Sequence, residues 1–344
     1  MKAAVIHEHG GLNVLRVEEV PEPEPGPGEV VLKVLGAGLN HLDIWVRKGR
    51  PGMELDLPHV LGSDAVGIVA AVGANVECPK VEDEVVLNPA LSCGHCEFCA
   101  RGEQSECLSF GLVGLSRAGT FAEQVAVPAC NAYPKPAHLS VEEAATLSLA
   151  FVTAWRMLMS RARVKPGESV LIHGIGGGVA LSALQWAKRI GAEVIVTSSS
   201  DEKLARAAEL GADHTINYRR EDVVERVKAV TSQRGVDVVA DSVGAATWPI
   251  NSGVVRRGGR IVTCGITTGP RAETNLQALY WNQIEVLGST MGSADDYRQM
   301  LSAVAVNQLR PVMDEVFPLE KAPEAMAKME AAAQFGKIAL RVSQ

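Results

Sequence analysis

The chain has 344 residues, long for one hydrophobic core and suited to two domains. Its 47% hydrophobic and 21% charged residues describe a folded protein and exclude a disordered one. A net charge of −7 with no compensating basic run excludes nucleic acid or an anionic membrane surface as the partner. The opening MKAAVIHEHGG lacks the apolar core of a signal peptide, and no segment approaches about 20 uninterrupted apolar residues, so a cytoplasmic location is expected.

Residues 1–130 lean towards β structure. Ala3 to Ile6, Glu29 to Val34, Ala65 to Val72 and Glu84 to Leu87 are short β-branched runs separated by turn-forming stretches such as PEPEPGPGE at 21–29. Many short strands with Gly/Pro turns predict a partly open barrel. Within this region Cys93, Cys96, Cys99 and Cys107 follow C-x2-C-x2-C-x7-C, the spacing of a closed, structural zinc site. Two disulfides are the competing reading, and an odd total of seven cysteines in a cytosolic chain argues against it. A nucleic-acid-binding zinc knuckle would need a more basic surround. Cys78, Cys130 and Cys264 read as ordinary buried or semi-buried residues.

The segment 140–160 is helical in pattern, with Ser140 as N-cap and Glu143 as its capping-box partner. After it comes the most informative stretch, 169–203. Val170, Leu171 and Ile172 form the apolar run of a strand buried on both faces of a parallel sheet. Gly174, Gly176, Gly177 and Gly178 then allow a sharp turn and close approach of a ligand, and the apolar spacing from Val179 to Ile190 opens a helix whose N-terminus can bind anions. A second strand, Glu193 to Thr197, delivers Ser198 about 20 residues past the turn, where a dinucleotide fold meets the adenine ribose. A tight turn serving no ligand is the bland alternative. Strand and helix patterns continue to alternate: His214 to Asn217, a helix from Glu221, Val236 to Ala240, a helix around Trp248 to Val255, Arg260 to Cys264, and Ile284 to Gly288. Two helical stretches and a closing strand, Lys337 to Val342, complete the chain, the last expected to return to the first domain.

With these motifs the chain resembles the medium-chain dehydrogenase/reductase superfamily, the zinc alcohol dehydrogenases and quinone oxidoreductases, over essentially its whole length. The carrying segments are GLNHLDIWVRKG at 38–49, HVLGSDAVGIVAAVG at 59–73, the four-cysteine lobe, GTFAEQVAVP at 119–128, LAFVTAWRML at 149–158, the glycine turn, ELGADHTINY at 209–218 and ADSVG at 240–244. The resemblance implies an α/β protein with a GroES-like β-barrel catalytic domain (1–130 and 293–344, zinc lobe 91–108) and a Rossmann doubly wound parallel-sheet domain (131–292). It also implies a nicotinamide cofactor in the cleft between them and a homodimer or homotetramer.

Departures from the alcohol dehydrogenase pattern say more than the agreements. Where those enzymes bind catalytic zinc through cysteine, histidine and cysteine, this chain has Asn40, Ser63 and Leu149, with Asp64 beside the histidine position and Leu42 where the proton-relaying hydroxyl sits. Without an open metal an alcohol's pKa is not lowered, so the usual oxidation loses its driving group. His41, His59, Asp43 and Asp64 are the residues from which a replacement metal site would be built. The resemblance therefore points to the quinone oxidoreductase branch, in which the pair Asn40 and Asp43 sits at the cleft and Trp45 lines the substrate pocket. Trp155 either joins that pocket or is a core residue. Asn40 would donate to a substrate carbonyl and stabilise enolate charge while hydride adds to a quinone or an α,β-unsaturated carbonyl.

Ser198, followed by Ser199 and with Lys203 one turn on, replaces the acidic residue that holds the ribose of NAD, and Tyr218 matches a position that reaches the 2′-phosphate; together they imply NADPH. His41 matches a position facing the pyrophosphate, and Ser242 and Gly265 should pass their backbones near the nicotinamide ribose. The leading expectation is a zinc-independent NADPH reductase with one structural zinc. An alcohol dehydrogenase or aldehyde reductase with an atypical metal is the runner-up, and a nicotinamide-binding protein without turnover is the alternative of another class.

Overall fold

The structure is a computed structural model that describes residues 1–50 and 54–343. The chain divides into two compact units, Met1–Ala150 with Ser293–Gln344, and Phe151–Gly292. The segment 131–150, grouped by the sequence with the second domain, here belongs to the first unit. Its helix Val141–Ala145 packs against the strands Glu29–Gly38, Asp64–Val72 and Lys337–Arg341.

In the first unit the strands at Ala132–Pro134, Glu84–Leu87, Asp64–Val72, Glu29–Gly38, Lys337–Arg341 and Met313–Pro318 lie side by side in that order, and Gln124–Pro128 also pairs with Glu29–Gly38. The alternation of these strands buries Val30, Leu32, Val34, Val69, Val85, Leu87, Val125, Val127, Ile338 and Leu340 in one core. The register has a functional consequence, because Gly38 pairs with both Asp64 and Ala339. Asn40, two residues past Gly38, Asp64 itself, and Lys337, two residues before Ala339, are thereby gathered at one end of the sheet.

Ser140 caps the next helix as expected, its Oγ accepting from the Glu143 N–H at 3.2 Å while Glu143 Oε2 accepts from the Ser140 N–H at 2.9 Å. The segment 140–160 is nevertheless not one helix. Thr146 Oγ1 bonds back to the carbonyls of Glu142 and Glu143, both at 3.1 Å, and the chain restarts as Ser148–Trp155 before widening into a looser turn at Arg156–Arg161. The interruption matters because the Leu149 N–H, past the break, donates to Asp64 Oδ1 at 2.7 Å.

The second unit is a six-stranded parallel sheet in the order His214–Asn217, Glu193–Ser198, Ser169–Ile172, Val236–Asp241, Val255–Thr263, Glu285–Gly288. Numbered along the chain this is 3-2-1-4-5-6, the doubly wound order whose ligand crevice lies where the order reverses, beyond the carboxyl end of Ser169–Ile172. The strands Ser169–Ile172 and Val236–Asp241 are buried along their whole length, which accounts for their unbroken apolar runs. Leu171, Ile195, Ile216, Val239 and Ile261, one from each of five strands, form the core. Trp155 is half-buried and stands edge-to-face on Trp186 at 5.0 Å between ring centroids. Among the described residues no helix is long and apolar enough to cross a membrane.

Candidate active site and zinc lobe

The four-cysteine lobe is built by short local turns. Cys99 lies on the one-turn helix Glu97–Ala100, and Cys107 follows a short turn at Gln104–Glu106. The sulfurs of Cys93, Cys96, Cys99 and Cys107 all lie within 4.8 Å of one another, with 4.0 Å between Cys93 and Cys99 and 3.5 Å between Cys107 and Cys93. Tetrahedral zinc with Zn–S bonds of about 2.3 Å places its ligand sulfurs about 3.8 Å apart, so the cluster has the size and donor set for that ion. Backbone N–H groups are aimed at the sulfurs: Cys93 N–H and Ser109 N–H at Cys107 Sγ, 3.3 and 3.4 Å, and Cys96 N–H at Cys93 Sγ, 3.4 Å. Such donors favour thiolate, and those of Cys99 and Leu108 bring the Cys96 thiol down to about 6. None of the seven cysteines forms a disulfide. Cys78 and Cys130, expected to be buried or semi-buried, are exposed.

Among the described residues, this is the one set of three or more His, Cys, Asp or Glu side chains whose ligand atoms converge. His41, His59, Asp43 and Asp64 do not gather. His59 is buried and its Nε2 lies 3.1 Å from the Gly114 carbonyl.

At the sheet end described above, Asn40 is the N-cap of the helix His41–Lys48, with Asp43 closing the capping box by accepting from the Asn40 N–H at 2.7 Å. Asp43 is buried, and desolvation raises its carboxyl to about 7 against the opposing pull of that N–H and of Lys337. The Asn40 side chain is the hub. Its Nδ2 donates to Asp64 Oδ2 at 2.9 Å and, at 3.4 Å, to the Gly38 carbonyl; its Oδ1 accepts from Lys337 Nζ at 2.6 Å. Lys337 Nζ also donates to the Leu39 carbonyl at 2.8 Å and lies 3.3 Å from Asp64 Oδ2. Asp64 is 0% exposed and Lys337 4%. The amide expected to meet a substrate carbonyl thus already serves three internal partners. Ser63, in the position of the histidine ligand, donates through Oγ to the Val113 carbonyl at 2.8 Å.

Lys337 was not singled out from the sequence. The available signal is a charged residue opening the otherwise apolar KIAL run at 337–340.

Three residues of the 41–48 helix are half-buried, His41, Leu42 and Trp45, and Leu42 packs against the core of the first unit. Burial, then the charge of Lys337, hold the His41 imidazole below its ordinary value.

In the second unit Gly174 and Gly176 have φ of +68° and +124°, values that an L side chain resists, and Gly177 caps the helix Gly178–Ile190. A Cβ placed on Gly177 would meet nothing within 4 Å, so the turn is open there. The Gly174 N–H is turned inward to Thr197 Oγ1 at 3.3 Å. Ser198 ends its strand with Oγ accepting from the Ser200 N–H at 3.2 Å, and Ser200 caps the helix that carries Lys203. Tyr218 is joined to Ser198 by its N–H, 3.1 Å from the Ser198 carbonyl, and is 51% exposed, so Ser198, Ser199, Lys203 and Tyr218 share one strand-end rim. Asp201, the nearest carboxylate on that helix, is held by Arg220 and by Asn217. Ser242 and Gly265 lie just past the next two strands. A Cβ on Gly265 would stand 2.3 Å from the Ser242 carbonyl, so only glycine lets these ends approach.

A GroES-like barrel with a cysteine lobe, joined in one chain to a parallel sheet of dinucleotide-binding order, defines an oxidoreductase of the medium-chain dehydrogenase/reductase superfamily, and the chain belongs to that superfamily. The zinc-binding dehydrogenase family matches residues 178–306, and the alcohol dehydrogenase GroES-like domain matches residues 26–137. The chain is 34% identical over 350 residues to a zinc-type alcohol dehydrogenase-like protein of Schizosaccharomyces pombe, covering 98% of each. It is 29% identical to the synaptic vesicle membrane protein VAT-1 homolog of Rattus norvegicus, over 99% of this chain and 84% of that one. Among solved structures, an NAD-dependent alcohol dehydrogenase shares 44% identity at a TM-score of 0.95 over 100% of both chains. A crotonyl-CoA carboxylase/reductase in complex with NADP shares 27% identity at a TM-score of 0.94, covering 99% of this chain and 94% of that one.

Proposed function

We propose that this enzyme is an NADPH-dependent reductase of quinones or α,β-unsaturated carbonyl compounds that works without catalytic zinc. It acts in the cytoplasm as a homodimer or homotetramer, with one structural zinc in the lobe of Cys93, Cys96, Cys99 and Cys107. The observation that carries the reading is Lys337. Where the zinc enzymes present three metal donors, this chain presents an asparagine amide, a serine hydroxyl already bonded to Val113 and a leucine, and a buried ammonium stands 2.6 Å from Asn40 Oδ1. A divalent cation would gain too few donors there and would be repelled by that charge.

The bound nicotinamide would supply the hydride. The chain's own contribution is electrostatic. By donating to Oδ1, Lys337 polarises the Asn40 amide and makes its Nδ2 hydrogens stronger donors. One of these is spent on Asp64, but the other makes only the long 3.4 Å contact to Gly38. A substrate carbonyl that takes over this hydrogen would gain a donor aimed at the oxygen on which negative charge develops. Asp43 acts through the helix cap that orients Asn40, and Trp45, with Arg50 stacked on its ring, would border the substrate.

NADPH is favoured by the rim of Ser198, Ser199, Lys203 and Tyr218, where the strand ends in a serine in place of the acidic residue that would repel a 2′-phosphate. The test is Lys203→Ala with dissociation constants for both cofactors: NADPH binding should weaken about tenfold or more while NADH is little changed, and equal losses would overturn the assignment. The 44% identity to a solved NAD-dependent alcohol dehydrogenase favours a second reading, alcohol oxidation with NAD. NADPH oxidation with quinones and enones, set against NAD reduction with alcohols, separates the two.

A further inference from the structure

The end of the 41–48 helix carries three cations in a row of four residues, Arg47, Lys48 and Arg50, and their fates differ. Arg47 is fully buried and pairs with Glu330 at 2.8 Å, while its Nη1 donates to the Gly10 carbonyl at 2.6 Å. Lys48 pairs with the same Glu330. Arg50 has no carboxylate partner among the described residues. Its guanidinium lies instead over the Trp45 ring, 3.8 Å from the centroid.

This placement is built rather than incidental. Gly49 ends the helix at φ +72° and ψ 155°, and its N–H donates to the Val46 carbonyl at 3.3 Å. A Cβ there would stand 2.7 Å from the His9 ring, so the chain can double back only through glycine. That reversal lays Arg50 over Trp45, which is one helical turn from His41. An arginine stacked on an aromatic ring keeps its in-plane N–H donors available, because the contact uses only the face of the guanidinium. Partial desolvation, seen as a lowering of the Arg50 pKa, strengthens the field it presents to a ligand.

We propose that Arg50, braced on Trp45, is a specificity-determining residue that selects substrates carrying a carboxylate or phosphate group in addition to the reducible double bond. The proposal rests on the reductase reading for the reaction, and it names the substrate class: acidic activated alkenes rather than neutral ones. The Arg50 fork, held by its face on the Trp45 ring, would take the oxyanion in two parallel hydrogen bonds. An oxyanion could also come from the cofactor's own phosphates, and the experiment separates the two sources.

The probes are trans-4-oxo-2-pentenoate and its methyl ester, which differ in charge at one end of the same enone. Their binding to the wild-type protein, Arg50→Gln and Arg50→Lys is measured by calorimetry, with NADPH affinity and NADPH oxidation measured separately. The wild type should bind the acid about tenfold more tightly than the ester. Arg50→Gln should abolish that preference by weakening the acid alone, Arg50→Lys should keep part of it, and NADPH affinity should not move. Equal binding of acid and ester by the wild type overturns the proposal. So does a loss in Arg50→Gln that falls on NADPH, which assigns Arg50 to the cofactor. A retained acid preference with no turnover of either probe supports the anion site and counts against the reductase reading instead.

Discussion

Replacing Lys337 by methionine should be among the most damaging single changes in the first unit. The ammonium makes contacts of 2.6 Å to Asn40 Oδ1, 2.8 Å to the Leu39 carbonyl and 3.3 Å to Asp64 Oδ2. Methionine fills the volume but leaves the fully buried Asp64 carboxylate with only the Asn40 amide and the Leu149 N–H. Breaking a buried ion pair from one side costs about 3–5 kcal/mol, because the remaining charge has no compensation. At about 2–4 °C per kcal/mol for a body of this size, the expected drop in melting temperature is about 6–20 °C. The two units need not melt together, so the assay is scanning calorimetry, in which the transition of the unit carrying Lys337 should move and the other should not. The double variant Lys337→Met/Asp64→Asn removes both charges and should recover most of the loss. A single variant that costs less than about 1 kcal/mol, or a double variant no more stable than the single one, would refute the reasoning.

Asp43 should leave a signature in the pH dependence of stability. Its carboxyl is raised to about 7 in the folded protein from an ordinary 3.8, so the folded state binds the proton more tightly than the unfolded chain does. The stability it contributes is therefore complete below about pH 4 and is lost as the pH rises towards 7. Subtracting the Asp43→Asn profile from that of the wild type should show this fall, and a flat difference would exclude it. Elemental analysis of protein purified without added metal should find one zinc per chain, lost in Cys107→Ser. Two zincs would bring the alcohol dehydrogenase reading forward, and none would remove the structural zinc from the account. Gly174→Ala, at φ +68° with a new Cβ 3.1 Å from Val243 Cγ2, should weaken nicotinamide cofactor binding severalfold, measurable by fluorescence titration.

Local chemistry determines much of this protein. The spacing of Cys93, Cys96, Cys99 and Cys107 is a short-range property, since ligands a few residues apart can converge only through tight turns, and the lobe follows directly. The glycine turn and the buried strands of 169–263 were readable for a similar reason: backbone freedom and period-free apolar runs are written residue by residue. The Ser140 cap was visible, whereas the break at Thr146 was not, because it depends on how Gly38 and Asp64 receive the chain after Ala145. Asn40, Asp43 and Trp45 could be named from the sequence, but what they face could not. The network of Asn40, Asp64 and Lys337 joins residues nearly three hundred positions apart, and it exists only because Gly38 pairs with Asp64 on one side and Ala339 on the other. Likewise no pattern in RKGR at 47–50 tells which cation is neutralised by Glu330 and which is left stacked on Trp45. Sequence decides where charge and backbone freedom lie along the chain; strand register and burial decide which charges meet, and so which of them remain available to a ligand.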